Sequence, residues 1–134
     1  MNTPFILLSF SLFALCSSNS WKYDYFCANG TKVSKPNKIP TFNGCGSDKF
    51  DIPRIYTFKE ATECCNTHDI CYASCNSTRE QCDDELKMCL QPYRKGFLNK
   101  LYIGFMLAMV KSPLACIAYN DAQKEYCDCK LPEK

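Results

Sequence analysis

The chain has 134 residues and twelve cysteines, with sixteen basic and fourteen acidic side chains that give a formal net charge of +2. A chain of this length predicts one domain. The near balance of charge gives no support for nucleic-acid binding and only weak support for attraction to anionic membranes. Many cysteines in a small domain are typical of a secreted protein whose core is reinforced by disulfides.

The N-terminal residues 1–20 predict a secretory signal peptide. Residues 5–15 form an apolar run, and small polar residues follow it up to Ser20. A permanent membrane anchor needs about 20 apolar residues, and this run is shorter. We therefore expect residues 21–134 to form one secreted, extracellular domain. It would hold an odd number of cysteines, which leaves a free thiol, an interchain disulfide or a retained Cys16 as alternatives.

Residues 21–42 are polar and aromatic, contain prolines and predict an irregular, extended arm. Two sequons, at Asn29 and Asn76, fit a secreted glycoprotein. In residues 43–48, Gly44 and Gly46 flank Cys45, so the backbone can bend until its carbonyl groups converge. An ordinary turn anchored by a disulfide is the competing interpretation of this loop.

Two amphipathic helices are predicted over residues 60–75 and 79–90, and Ser77 or Thr78 could cap the second. Facing residues of two antiparallel helices have a constant sum of residue numbers. That sum is the same for Cys71 with Cys82 and for Cys64 with Cys89. Two closely packed helices can bring the Cα atoms of such pairs within disulfide distance. We therefore predict a helical hairpin stapled by Cys71–Cys82 and Cys64–Cys89.

Residues 97–110 are strongly apolar but too short and interrupted for a clear membrane span. They predict a helix that packs on the hairpin rather than a membrane-facing surface, and Pro113 is expected to end it. The tail with Cys116, Cys127 and Cys129 predicts a segment held by disulfides.

His68 is the only histidine in the chain and lies beside Asp69 in the densest run of cysteines. Histidine ordinarily titrates near neutral pH, which makes His68 a candidate general base. A zinc site is disfavoured, because one straight helix spreads the candidate ligands over about 16 Å. A purely structural hairpin stays open. So does a hydrolase in which Asp69 and carbonyls of the glycine loop hold Ca²⁺, which prefers oxygen ligands.

The run Cys64-Cys65-Asn66-Thr67-His68-Asp69-Ile70-Cys71-Tyr72 resembles the active-site helix of secreted phospholipase A2, whose pattern is CC-x-x-HD-x-C-Y. Cys82-Asp83, with Cys89 seven residues on, is similar to the second long helix of that family. The glycine loop, the segment 82–85 and the tail are most similar to the divergent group twelve type. The resemblance covers residues 43–90 well and the tail more loosely.

The resemblance implies an all-α, disulfide-rich fold with two long antiparallel helices stapled by disulfides and a calcium-binding loop tied by Cys45–Cys65. It implies a phospholipase A2 that needs Ca²⁺ and hydrolyses the sn-2 ester of glycerophospholipids at a phospholipid membrane surface. Fatty acid and lysophospholipid would be released, and we expect a monomer.

Residue by residue, the resemblance makes His68 the general base, Asp83 the carboxylate on its far nitrogen, and Tyr72 a hydrogen-bond partner of Asp83. Ca²⁺ would be held by the Asp69 carboxylate and by main-chain carbonyls. Those carbonyls belong to Gly44, Gly46 and Asp48, and the Gly46 N–H would help to stabilise the oxyanion.

Two departures keep other hypotheses open. The family loop usually has a glycine where Asp48 stands, and the Asp48 side chain could add a ligand instead. The usual cysteine set of the group is larger and even, so at least one expected disulfide is missing here. The assignment of Asp83 rests on the resemblance, since helical periodicity alone places Glu85 nearer the seam between the two helices. The alternatives are a non-catalytic, phospholipase-like ligand of a membrane or receptor, and a generic disulfide-rich interaction domain.

Overall fold

The computed structural model describes residues 26–47, 50–51 and 58–133. Within them the fold is all-α and disulfide-rich, as predicted. The signal peptide predicted over residues 1–20 lies outside the described residues and stays a prediction. The helices are α1 (Lys59–Ala73), α2 (Arg79–Leu90), α3 (Phe97–Val110) and α4 (Pro113–Tyr126), with a 3₁₀ turn at Gln91–Tyr93. The short strands are β1 (Thr31–Ser34), β2 (Gly46–Ser47), β3 (Phe50–Asp51) and β4 (Cys127–Lys130).

Helices α1 and α2 form an antiparallel hairpin. Thr78 caps α2, since its hydroxyl accepts a hydrogen bond from the Gln81 N–H at 3.2 Å. Two disulfides close the hairpin, with Cα atoms 5.7 and 5.8 Å apart: Cys71–Cys82 and Cys64–Cys89. The register predicted from the residue-number sums is confirmed. Helix α1 ends at Ala73, two residues before its predicted end.

Helix α3 packs on one side of the hairpin and completes the main apolar core. Its buried residues Ile103 and Met106 meet Leu86 and Leu90 of α2 in one cluster. Beside them the Phe58 and Tyr102 rings pack edge to face, with centroids 5.8 Å apart. These contacts fix which face of α3 is turned inward, because burial of apolar area is the main favourable term in folding.

The C-terminal segment contains a helix where the sequence predicted only a disulfide-held tail. Pro113 occupies the first turn of α4, where its missing N–H removes no helical hydrogen bond, so it begins this helix. Helix α4 packs across α1. Its buried side chains include Cys116, Tyr119, Asn120 and Gln123.

The two ends of the described chain meet in a small antiparallel sheet. Strand β1 pairs with β4 from Thr31 opposite Lys130 to Ser34 opposite Cys127. The segment predicted as an irregular arm therefore contains a strand. Gly30 is needed beside it, because a Cβ there would lie 2.6 Å from the Lys130 carbonyl oxygen. Strands β2 and β3 form a second, two-residue ladder next to the glycine loop.

Three more disulfides connect these parts. Cys27–Cys129 lies beside the β1–β4 pair, and Cys75–Cys127 ties β4 to the turn after α1. The Cys45–Cys65 disulfide implied by the resemblance is present, with Cα atoms 5.0 Å apart. Cys116 is disulfide-bonded as well. None of the described cysteines is a free thiol.

Candidate active site

His68 on α1 and Asp83 on α2 face each other across the hairpin. The Nε2 atom of His68 lies 2.8 Å from Oδ1 of Asp83. An ionised carboxylate only accepts hydrogen bonds, so Nε2 carries the hydrogen and a neutral imidazole has its lone pair on Nδ1. The two side chains are only 10% and 17% exposed. The pair is therefore held in one tautomer and largely shielded from solvent.

Tyr72, one helical turn after His68, fixes the same carboxylate. Its hydroxyl donates to Oδ1 of Asp83 at 2.7 Å. Its ring also lies against the His68 ring, with centroids 4.1 Å apart. Burial, followed by the charge and the hydrogen bond of Asp83, raises the pKa of Tyr72 well above its ordinary value. The phenol therefore remains a hydrogen-bond donor to Asp83.

Glu85, the residue that periodicity placed nearer the seam, forms no hydrogen bond with His68. Its Oε1 atom accepts a hydrogen bond from Gln81 Nε2 at 3.0 Å instead, although Glu85 and His68 line the same small cavity. The Cys71–Cys82 disulfide explains the difference. It brings Asp83, the neighbour of Cys82, beside the turn of α1 that carries both His68 and Tyr72.

Helix α4 packs against the end of α1 that carries Tyr72, a contact that the sequence did not predict. The fully buried Gln123 donates through Nε2 to the carbonyl oxygens of Tyr72 at 2.6 Å and Ser74 at 2.9 Å. The C-terminal end of α1 therefore has a side-chain partner for carbonyls that a helix leaves unpaired. Gln123 holds the backbone of the residue that orients Asp83.

Tyr119, also on α4, packs on the other side of Tyr72. The two rings meet edge to face with centroids 5.1 Å apart. The Tyr119 hydroxyl donates to the Ser77 carbonyl oxygen at 2.7 Å, and Lys32 Nζ donates to that hydroxyl at 3.1 Å. The spacing of Tyr119 and Gln123, four residues apart on a stripe with Cys116, was the sequence signal for this face.

A small cavity lies between the hairpin helices next to His68. Its volume is about 20 Å³, and its walls include Thr67, His68, Glu85 and Leu86. A cavity of this size has room for about one water molecule and not for an acyl chain.

The glycine loop meets Asp69, the neighbour of His68. The Asn43 N–H donates to Oδ2 of Asp69 at 3.1 Å. Gly44 has φ +83°, a left-handed conformation that favours glycine. Gly46 pairs with Asp51 in the β2–β3 ladder. Asp48, the fourth predicted ligand, lies outside the described residues.

The donor chemistry of this region fits Ca²⁺. Among the described residues, no three acidic, histidine or cysteine side chains converge as a metal-ligand set. A cation site here would therefore depend on main-chain carbonyls together with one carboxylate. Both are oxygen donors that Ca²⁺ accepts, and the Asn43–Asp69 hydrogen bond brings the loop and the carboxylate together.

Residues 11–134 match the family model described as Group XII secretory phospholipase A2 precursor. The chain is 30% identical over 122 residues to Group XIIA secretory phospholipase A2 of Mus musculus, covering 82% of this chain and 64% of that protein. Identity to the Homo sapiens protein of the same name is 29% over 125 residues, covering 82% and 65%. Group XIIB secretory phospholipase A2-like protein of Mus musculus is 26% identical over 125 residues, covering 78% and 58%. No solved structure matches.

The chain thus spans slightly less than two thirds of the length of the curated relatives it matches. Its relatives are secretory proteins by name, and its fold is held by disulfides, as expected outside the cell. The family that the sequence motif implied is therefore correct, and the protein is extracellular. By the match over nearly its whole length, the chain belongs to the group XII secretory phospholipase A2 family.

Proposed function

We propose that this protein is a phospholipase A2 that depends on Ca²⁺ and hydrolyses the sn-2 ester of glycerophospholipids at a membrane surface. The arrangement of His68, Asp83 and Tyr72 carries this proposal. A histidine held in one tautomer by a shielded carboxylate is what general-base catalysis requires. Membership of the family supplies the substrate class.

In the proposed reaction, His68 Nδ1 takes a proton from a water molecule as that water attacks the sn-2 carbonyl carbon. Asp83 stabilises the imidazolium through the hydrogen bond at Nε2, and the Tyr72 hydroxyl keeps the carboxylate in place. His68 then returns the proton to the departing lysophospholipid oxygen as the ester bond breaks. The products are a fatty acid and a lysophospholipid.

The proposed Ca²⁺ ligands are the Asp69 carboxylate and the main-chain carbonyls of Gly44, Gly46 and Asp48. When bound there, the ion would supply positive charge where the ester oxygen becomes negative. The Asn43 N–H orients the Asp69 carboxylate. The Gly46 N–H is the proposed hydrogen-bond donor to the same ester oxygen.

Fatty-acid release from phospholipid vesicles tests the proposal. We expect release in millimolar Ca²⁺ and none in EGTA. His68→Gln should slow release at least about 100-fold, because a general base contributes roughly 10²- to 10⁴-fold. Asp83→Asn should also slow release strongly, since the amide no longer stabilises the imidazolium.

Asp84→Asn is the matched control for Asp83→Asn. It makes the same change of an aspartate to an asparagine at the next residue, which is exposed and does not line the cavity beside His68. We expect nearly full activity. A wild-type protein that releases no fatty acid and gains no heat stability from Ca²⁺ would favour a non-catalytic, phospholipase-like ligand of a membrane or receptor.

A further inference from the structure

The side of α3 that faces away from the hairpin is apolar and open to solvent. Four large side chains make up this outer face of α3, spaced so that they lie on one stripe of the helix. Their exposed fractions are 78% for Phe97, 75% for Leu98, 63% for Leu101 and 46% for Phe105. Most large apolar side chains of a folded domain are buried, so a continuous exposed set marks an interaction surface.

The opposite side of α3 already fulfils the packing role that the sequence predicted. Ile103 and Met106 are buried against the hairpin, with Tyr102, Leu107 and Val110 packed around them. The core therefore does not need the outer face. A helix that is apolar on both sides normally has a second apolar environment to enter.

Basic residues surround the outer face. Arg94 and Lys95 precede α3, Lys100 lies within it and Lys111 follows it, and all four are exposed. Residues 91–112 contain no Asp or Glu. The whole chain has a formal net charge of only +2, so the rest of the molecule is net negative. The segment 91–112 therefore carries a net charge of +4, against −2 for the rest of the chain.

We propose that the outer face of α3 docks on an anionic lipid bilayer, with the four basic side chains at the level of the lipid phosphates. The location of this docking surface deepens the proposed function and rests on it. A single helix presents a convex ridge about 21 Å long, which suits insertion between head groups. Within the described residues no single helix is long and apolar enough to cross a membrane. Taken together, α3 and α4 are long and apolar enough by length and composition alone, but the pair is bent by 63°.

Charge favours a bilayer over a second copy of this chain. In a two-fold dimer through this face, each set of four cations would approach the same four cations of the other copy. An anionic surface instead attracts them, by about fivefold in affinity for each Lys or Arg near the membrane.

Vesicle co-sedimentation of the His68→Gln protein tests the proposal, because lipid hydrolysis is then too slow to alter the vesicles during the measurement. We expect much tighter binding to phosphatidylcholine vesicles that contain phosphatidylglycerol than to phosphatidylcholine alone, and weaker binding at high salt. Leu98→Asp with Leu101→Asp should lower the affinity at least tenfold, since it removes about two leucine burials and adds negative charge.

Ile39→Asp with Leu131→Asp is the matched control. Both residues are highly exposed, at 83% and 70%, and both lie outside α3. This variant should bind vesicles like its parent. Equal loss of binding in the two double variants would overturn the assignment to α3. So would a lipid-free dimer that the α3 variant converts to monomer in analytical ultracentrifugation, because a second copy would then occupy the face.

Failure of docking and failure of catalysis give different results. Hydrolysis of a short-chain phosphatidylcholine dissolved as single molecules needs no docking surface. The α3 variant in the wild-type background should therefore cleave this substrate normally while losing activity on vesicles. Wild-type protein that binds anionic vesicles but cleaves neither substrate would contradict the proposed function and leave the docking surface supported.

Discussion

At Asp83, one carboxylate oxygen accepts two hydrogen bonds, from His68 Nε2 at 2.8 Å and from the Tyr72 hydroxyl at 2.7 Å. Each donor restricts rotation of the carboxylate. The position of the His68 ring therefore depends on the Tyr72 hydroxyl, although that hydroxyl transfers no proton in the proposed reaction. Tyr72 is buried and lies between the rings of His68 and Tyr119. A change in its protonation would therefore affect both folding and the candidate base.

Tyr72→Phe should change how stability depends on alkaline pH. The pKa of Tyr72 in the folded protein is raised, so its contribution is fully present below the unfolded value of about 10.0. As pH rises past that value, the unfolded chain loses the proton first and the free energy of unfolding falls, until the folded pKa is passed. We expect a shallower alkaline fall in Tyr72→Phe, measured by urea unfolding at a series of pH values.

The same substitution should also lower stability at pH 7 by about 1.5–3 kcal/mol, the usual cost of losing a hydrogen bond to a charged group. Burial also raises the pKa of Tyr102, so the variant keeps part of the alkaline fall. Tyr93→Phe removes a phenol from an exposed position and serves as the control. A Tyr72→Phe profile parallel to that of the wild type would contradict this account.

At the scale of elements, Gln123 joins α4 to the end of α1. Gln123→Glu keeps the shape of the side chain but replaces the donor NH₂ by an oxygen facing two carbonyls. We expect a loss of about 3 kcal/mol or more in the free energy of unfolding, because the variant buries a carboxylate against two carbonyl oxygens that have lost their donor. Gln91→Glu, at an exposed position, should change stability by no more than about 0.5 kcal/mol. Urea unfolding of both variants compares them directly.

The hairpin and α3 could be predicted because their signals are local. Helix periodicity gave the bounds of α2 and α3, and the cysteine spacing gave the pairing of α1 with α2. Helix α4 was missed because Pro113 was interpreted only as the end of α3. Its buried face is also partly polar, with Asn120 and Gln123 inside, which weakens an apolar stripe.

The β1–β4 pair had no such signal, since its residues lie almost a hundred positions apart. Of the candidate site, residue chemistry identified His68, whereas the Asp83 assignment came from the family motif. Periodicity gives the angle of a side chain around its own helix. It does not give which residues of two packed helices lie opposite each other. Here the Cys71–Cys82 disulfide sets that pairing and brings Asp83 beside His68.

At the scale of the whole molecule, Cys27–Cys129 joins residues 102 positions apart. In the chain-entropy model a single crosslink that closes a loop of about 100 residues contributes roughly 4.7 kcal/mol. The Cys45–Cys65 and Cys75–Cys127 disulfides shorten the loop here and lower that contribution. Limited trypsin treatment should cut first after Lys38, in the exposed segment that follows β1. We expect one band on a non-reducing gel and two fragments after reduction. Fragments that separate without reductant would show that this disulfide does not form.

The same disulfide makes the chain between Cys27 and Cys129 a closed ring. A single backbone cut anywhere in a ring opens it without releasing a piece. His68 and Asp83 would then stay on one covalent molecule, still connected by the hairpin disulfides. For a protein that meets proteases outside the cell, a first cut in this ring would therefore release no fragment, and loss of a piece of the chain would require at least a second cut.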